Sequence, residues 1–145
     1  MAHDTGGMGS ALRTVRVIQI AMLVSIGIYA VVGETVGTRV TTDLRVLYAI
    51  PFASISLVGA ILVVRKTMVL QSEDELKAKP GDPAVLARWK TGYVVTYVLC
   101  EALALFGLLL RVMGSTLSQV WPYYAGGFVL LLLFWPRVPQ SASSR

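Results

Sequence analysis

Residues 91–110 read TGYVVTYVLCEALALFGLLL, an apolar run that contains a single charged residue, Glu101. A helix needs about 20 predominantly apolar residues to cross the hydrocarbon core of a bilayer, and this run has that length. Three further apolar segments lie near residues 15–32, 46–64 and 120–135. The sequence therefore predicts an all-α integral membrane bundle of four transmembrane helices, arranged as two antiparallel hairpins.

The composition fits residence in lipid and a single domain. Of 145 residues, 55% are hydrophobic and 14% are charged, and the mean hydropathy is +0.68. The net charge of +5 does not point to nucleic acid, because the basic residues lie beside the ends of the apolar segments. The expected partners are the lipid bilayer and either further copies of the chain or a larger membrane complex.

The order of polar and apolar segments predicts one transmembrane domain, at residues 11–136. Residues 1–10 are Gly-rich and are expected to form a disordered tail, and residues 137–145 form a polar tail. The helices are expected at about 12–33, 44–66, 83–113 and 118–135.

A cytoplasmic loop is expected at residues 67–82, between the second and third spans. Ser72 and Glu75 have the spacing of a capping box and predict a short surface helix within it. Asp82 and Pro83 predict the N-cap and the first position of the third span, because a proline there lacks only an N–H group that needs no helical partner.

Lysine and arginine residues are shared unequally between the two sides of the predicted bundle. Of the 13, ten precede the first span, lie between the second and third spans or follow the fourth, and three lie on the opposite side. The positive-inside rule then places both termini in the cytoplasm. We expect the protein to be integral to a membrane, the prokaryotic plasma (inner) membrane.

Glu101 is the candidate functional residue. An acid at the centre of a bilayer costs a few kcal/mol, so a compensating interaction is required. Burial favours the protonated carboxyl group, which can serve as a proton-handling site or as a polar tie between helices. The candidate interhelical partners are Gln19, Ser25, Ser54, Ser56 and Thr96.

Two stripes of small residues predict close helix packing, because small side chains let backbones approach each other in lipid. The second span carries Ala49, Ala53, Ser56 and Ala60, and the third carries Gly92, Cys100 and Ala104 with Thr96 between them. The stripe on the second span is interpreted as ordinary packing within the chain, with a dedicated dimer face as the alternative.

The sequence shows no set of residues that would form a catalytic site. His3 is the only histidine and has no neighbouring ligands, and no nucleophile with a base or phosphate-binding loop is evident. We therefore expect no metal, no cofactor and no enzymatic activity.

Residues 83–113, and especially CEALALFGLLL from Cys100 to Leu110, resemble the carboxylate-bearing helix of the rotor-ring proteolipids, the c subunits of rotary ATP synthases. In that family a mid-helix acid is followed by small and aliphatic residues, on a helix entered from a polar cytoplasmic loop. The resemblance implies that Glu101 corresponds to the acid that carries a proton or a sodium ion.

Two functional hypotheses follow. In the first, the protein is a non-enzymatic membrane subunit that assembles with itself or with a larger complex, and Glu101 is an internal polar tie. The alternative is a proton- or cation-coupled channel, transporter or rotor-like subunit in which Glu101 titrates during function.

Overall fold

The computed structural model describes residues 5–36, 44–79 and 82–136, and no strand occurs in these ranges. Their elements are α1 (Thr5–Val36), α2 (Leu44–Val64), a π-helical segment (Arg65–Leu70), α3 (Gln71–Ala78), α4 (Pro83–Val112) and α5 (Leu117–Leu133). The predicted all-α class is confirmed.

Three helical stretches are long and apolar enough to cross a membrane: Met8–Val36, Tyr48–Ala78 and Pro83–Val112. α5 is apolar but shorter. At 1.5 Å per residue its 17 residues extend about 26 Å, against a hydrocarbon core of about 30 Å. In length and composition these are the helices of a membrane protein.

α4 is the central helix, and α1, α2 and α5 each pack against it. It forms an antiparallel hairpin with α5, and the turn contains Gly114, whose φ of 94° is a left-handed conformation that favours glycine. α1 runs parallel to α4, because Tyr29 lies opposite Glu101 and Gly33 lies opposite Leu108. Within the described ranges no Cα of α1 comes within 8 Å of a Cα of α2. The first two spans therefore pack on α4 and not on each other.

The expected N-terminal boundary is wrong. α1 begins at Thr5, inside the segment predicted to be a disordered tail. Residues 1–4 and the predicted polar tail at 137–145 lie outside the described residues.

The connection between α2 and α4 also differs from the prediction, since the π-helical segment and α3 continue directly from α2. Leu70, which precedes α3, has helical backbone angles, and Ser72 is buried and caps nothing. The expected short helix is present, but as an extension of α2 and not as a new helix started by a capping box. The predicted start of α4 is confirmed: Asp82 accepts a hydrogen bond from the Ala84 amide over 2.9 Å, and Pro83 is the first helical residue.

Candidate functional site

Glu101 accepts a hydrogen bond from Tyr29 of α1, with 2.6 Å between Tyr29 Oη and Glu101 Oε1. Ser25, one of the predicted partners, lies one turn before Tyr29 on the same face of α1. Sequence reasoning missed Tyr29. A tyrosine in the apolar part of a span was the available signal, because a buried phenolic hydroxyl group needs a partner of its own.

The second carboxyl oxygen of Glu101, Oε2, differs from Oε1 in its contacts. Oε2 makes no hydrogen bond or ion pair with any residue that the structure describes, and the Glu101 side chain is only partly buried. Val98 and Leu105, about one turn before and after Glu101, are 48% and 42% exposed. Glu101 therefore lies at the edge of a face of α4, carrying Val98 and Leu105, that the described helices leave exposed. Both α1 and α2 pack on α4, but they do not contact each other across this face.

Three of the other candidate partners bond within their own helices. The hydroxyl groups of Ser54, Ser56 and Thr96 donate to the carbonyl oxygen four residues earlier, over 2.8, 3.1 and 2.8 Å. This back-bonding satisfies a hydroxyl group without help from a neighbouring helix. None of the three contacts Glu101 through a hydrogen bond.

Gln19, the remaining candidate, helps to hold the C-terminal end of α5. It is fully buried, and its Nε2 donates to the carbonyl oxygen of Leu131 over 2.6 Å. Tyr97 of α4 donates to the carbonyl oxygen of Phe134 over 3.0 Å, and the Arg65 guanidinium lies 4.1 Å from the centre of the Phe134 ring. The last carbonyl groups of a helix lack helical partners, so side chains from α1 and α4 satisfy two of them here.

The opposite end of the bundle carries an ion pair between α1 and α4. Arg111 Nη2 donates to Glu34 Oε2 over 3.1 Å, and Nη1 donates to the carbonyl oxygen of Ser115 over 2.9 Å. A Cβ atom at Gly33 would lie 2.8 Å from Tyr124 Oη and 3.2 Å from Arg111 Cγ. Glycine at position 33 therefore allows α1 to approach α4 and α5 closely.

The small residues of α4 are buried, namely Gly92, Thr96, Cys100 and Ala104. A Cβ atom at Gly92 would lie 2.9 Å from Met68 Cβ in the π-helical segment. A Cβ atom at Gly127 of α5 would lie 2.8 Å from the backbone oxygen of Cys100. The stripe on α4 is thus a surface where neighbouring backbones meet.

The small residues of α2 face the other way, since Ala49, Ala53, Ser56 and Ala60 are all exposed. α2 instead buries Ile50, Ser54 and Ile61. The interpretation of this stripe as ordinary packing within the chain is therefore wrong for the helices that the structure describes.

A second polar cluster, which sequence reasoning did not anticipate, joins α3 to the start of α4. Glu73 Oε1 accepts hydrogen bonds from Trp89 Nε1 over 3.4 Å and from Tyr93 Oη over 3.1 Å. Arg88 Nη2 donates to the carbonyl oxygen of Thr67 over 3.0 Å and to Gln71 Oε1 over 3.2 Å, which secures the π-helical segment. The spacing of Arg88, Trp89 and Tyr93 places them on adjacent parts of one helix face.

No group of three or more His, Cys, Asp or Glu side chains suited to a metal ion occurs in the described part of the chain. Comparison with protein-family models, with curated proteins and with solved structures finds no match.

Proposed function

We propose that the protein is a non-enzymatic integral membrane subunit that acts by assembly, either with further copies of itself or within a larger membrane complex. The hydrogen bond from Tyr29 to Glu101 supports this most, because it engages the one acid of the α4 apolar run as a tie between helices. Gln19 and Tyr97 make comparable ties to α5. Polar side chains that join helices are a common means of association in lipid.

Two surfaces support the assembly part of the proposal. The small-residue stripe of α2 is exposed, and such stripes allow another helix to approach closely. The face of α4 beside Glu101, which carries Val98 and Leu105, is also left exposed by the helices that the structure describes. A lone bundle would present both surfaces to lipid.

The second candidate is a proton- or cation-coupled channel, transporter or rotor-like subunit. The feature that favours it is Glu101 Oε2, which has no partner among the residues that the structure describes. A carboxyl group with an accessible oxygen can exchange a proton during function.

Glu101→Gln distinguishes the two candidates, because glutamine keeps the acceptor for Tyr29 and removes the titratable group. Wild type and variant are purified, checked for oligomeric state and thermal unfolding, and reconstituted into liposomes that contain a pH-sensitive dye. We expect equal assembly and equal proton flux. A flux that is present in wild type and lost in a normally assembled variant would overturn the proposal. Tyr29→Phe is the matched control, because it removes the interhelical bond and leaves the acid in place.

A further inference from the structure

Glu101 Oε2 has no hydrogen-bond partner among the described residues, so a partner for it must come from elsewhere. Oε1 already accepts the bond from Tyr29, and Oε2 is without a partner among the described residues on a side chain that is only partly buried. A polar atom left bare in hydrocarbon costs several kcal/mol. Whatever covers this face must therefore offer a hydrogen-bonding group at the depth of Glu101.

The exposed face of α4 beside Glu101 is a strip of apolar side chains suited to packing against another helix. Val98, Ala102, Leu105 and Leu109 follow at spacings of three or four residues and so lie on one face of α4. Val98, Leu105 and Leu109 are each more than two-fifths exposed, whereas the opposite face of α4 is buried against α5. Ala102, beside Glu101, is small enough to allow close approach of another helix.

A neutral carboxyl group is its own complement, because it carries one O–H donor and a carbonyl acceptor with two lone pairs. Since the Tyr29 hydroxyl donates to Oε1, the proton of a neutral Glu101 belongs on Oε2, the free oxygen. Oε1 retains a second lone pair. The side chain can therefore donate through Oε2 and accept through Oε1 at the same time.

We propose that the uncovered strip of α4 binds a second copy of the chain in a two-fold symmetric dimer, with Glu101 paired to Glu101 of the partner subunit through two hydrogen bonds. A two-fold interface places the same patch of both subunits face to face, so a self-complementary group lies naturally at its axis. A single polar pair within an apolar seam also selects register and stoichiometry. This inference rests on the proposed function and names the partner and the site of assembly.

Disulfide crosslinking in native membranes tests the geometry. Cys100→Ala removes the single buried cysteine, and single cysteines are then placed at Val98, Leu105, Ala53 and Phe128. The first two lie on the strip, Ala53 lies on the exposed stripe of α2, and Phe128 lies on an exposed part of α5. Under mild oxidation we expect disulfide-linked dimers from positions 98 and 105 only.

Two further substitutions test the carboxyl pair. Glu101→Gln keeps one donor and one acceptor and should preserve crosslinking, whereas Glu101→Leu should weaken dimerisation in a detergent dilution series by roughly threefold to tenfold. Equal dimerisation of the Leu variant overturns the pairing. Crosslinking at Ala53→Cys alone overturns this inference and leaves the proposed function standing, with α2 as the interface. If none of the four single-cysteine variants forms a disulfide-linked dimer, the inference is overturned and only assembly with other proteins remains.

Discussion

A hydrogen bond between Gln19 and Leu131 joins α1 to α5: Gln19 Nε2 lies 2.6 Å from the carbonyl oxygen of Leu131, in the last turn of α5. The glutamine is fully buried and contributes the hydrogen bond that a shorter or apolar side chain in α1 would not make. Because α1 and α5 otherwise flank α4, this bond fixes the position of one relative to the other.

Gln19→Leu should destabilise the bundle by about 1 kcal/mol, because it leaves the Leu131 carbonyl oxygen without its side-chain donor while keeping the volume of position 19. The measurement is the free energy of unfolding in mixed detergent micelles. Val17→Leu, at an exposed position of the same helix, is the control and should leave stability unchanged. Equal stability of the two variants would show that the bond contributes nothing.

Gly127→Ala should destabilise the α4–α5 hairpin by about 1–3 kcal/mol, because the added methyl group would meet the Cys100 backbone oxygen at 2.8 Å and force the helices apart. Gly59→Ala is the matched control. Apart from its chain neighbours and the backbone of its own helix, no atom lies within 4 Å of a Cβ at that position, and alanine favours a helix by up to about 1 kcal/mol over glycine. The two changes should therefore shift the melting temperature in opposite directions, and a shift in the same direction would contradict the packing described here.

The helices could be predicted because the length and polarity of each apolar run are local properties of the sequence. The start of α4 is an example, since Asp82 and Pro83 specify a cap within two residues. The sequence did not predict that α2 continues through the π-helical segment into α3. A capping-box spacing at Ser72 and Glu75 competes with an uninterrupted helix, and burial of Ser72 shows that packing favoured the second.

The partner of Glu101 depends on which helices become neighbours, which no single segment encodes. Gly33 lies close against Arg111 and Tyr124 where α1 packs on α4, and in this packing Tyr29 is level with Glu101. Small polar residues were the natural candidates from sequence, yet serine and threonine can satisfy themselves on their own helix. The Tyr29 hydroxyl group lies beyond the carbonyl groups of its own helix and instead donates to Glu101 on α4.

Glu73→Ala should lower the free energy of unfolding by about 1–3 kcal/mol, because it removes the acceptor shared by Trp89 and Tyr93, both of which are fully buried. Asp74→Ala is the control on the same turn of α3. Its ion pair with Lys77 is exposed, so this change should leave the protein close to wild type. Tryptophan fluorescence should report the loss directly, as a red shift if Trp89 becomes accessible to water.

Glu34→Gln and Arg111→Met should differ in cost, because the two residues share one ion pair but only Arg111 also holds the Ser115 carbonyl oxygen at the α4–α5 turn. The pair is partly exposed, with 22% of the Arg111 and 48% of the Glu34 side chain accessible, so Glu34→Gln should cost about 0.2–1 kcal/mol. Arg111→Met should cost more, since the turn loses a partner as well. Unfolding at low ionic strength and at 1 M salt, where the screening length falls to about 3 Å, separates the two contributions. The Glu34→Gln effect should shrink in salt, and the excess cost of Arg111→Met should persist; an excess that vanishes in salt would assign Arg111 to electrostatics alone.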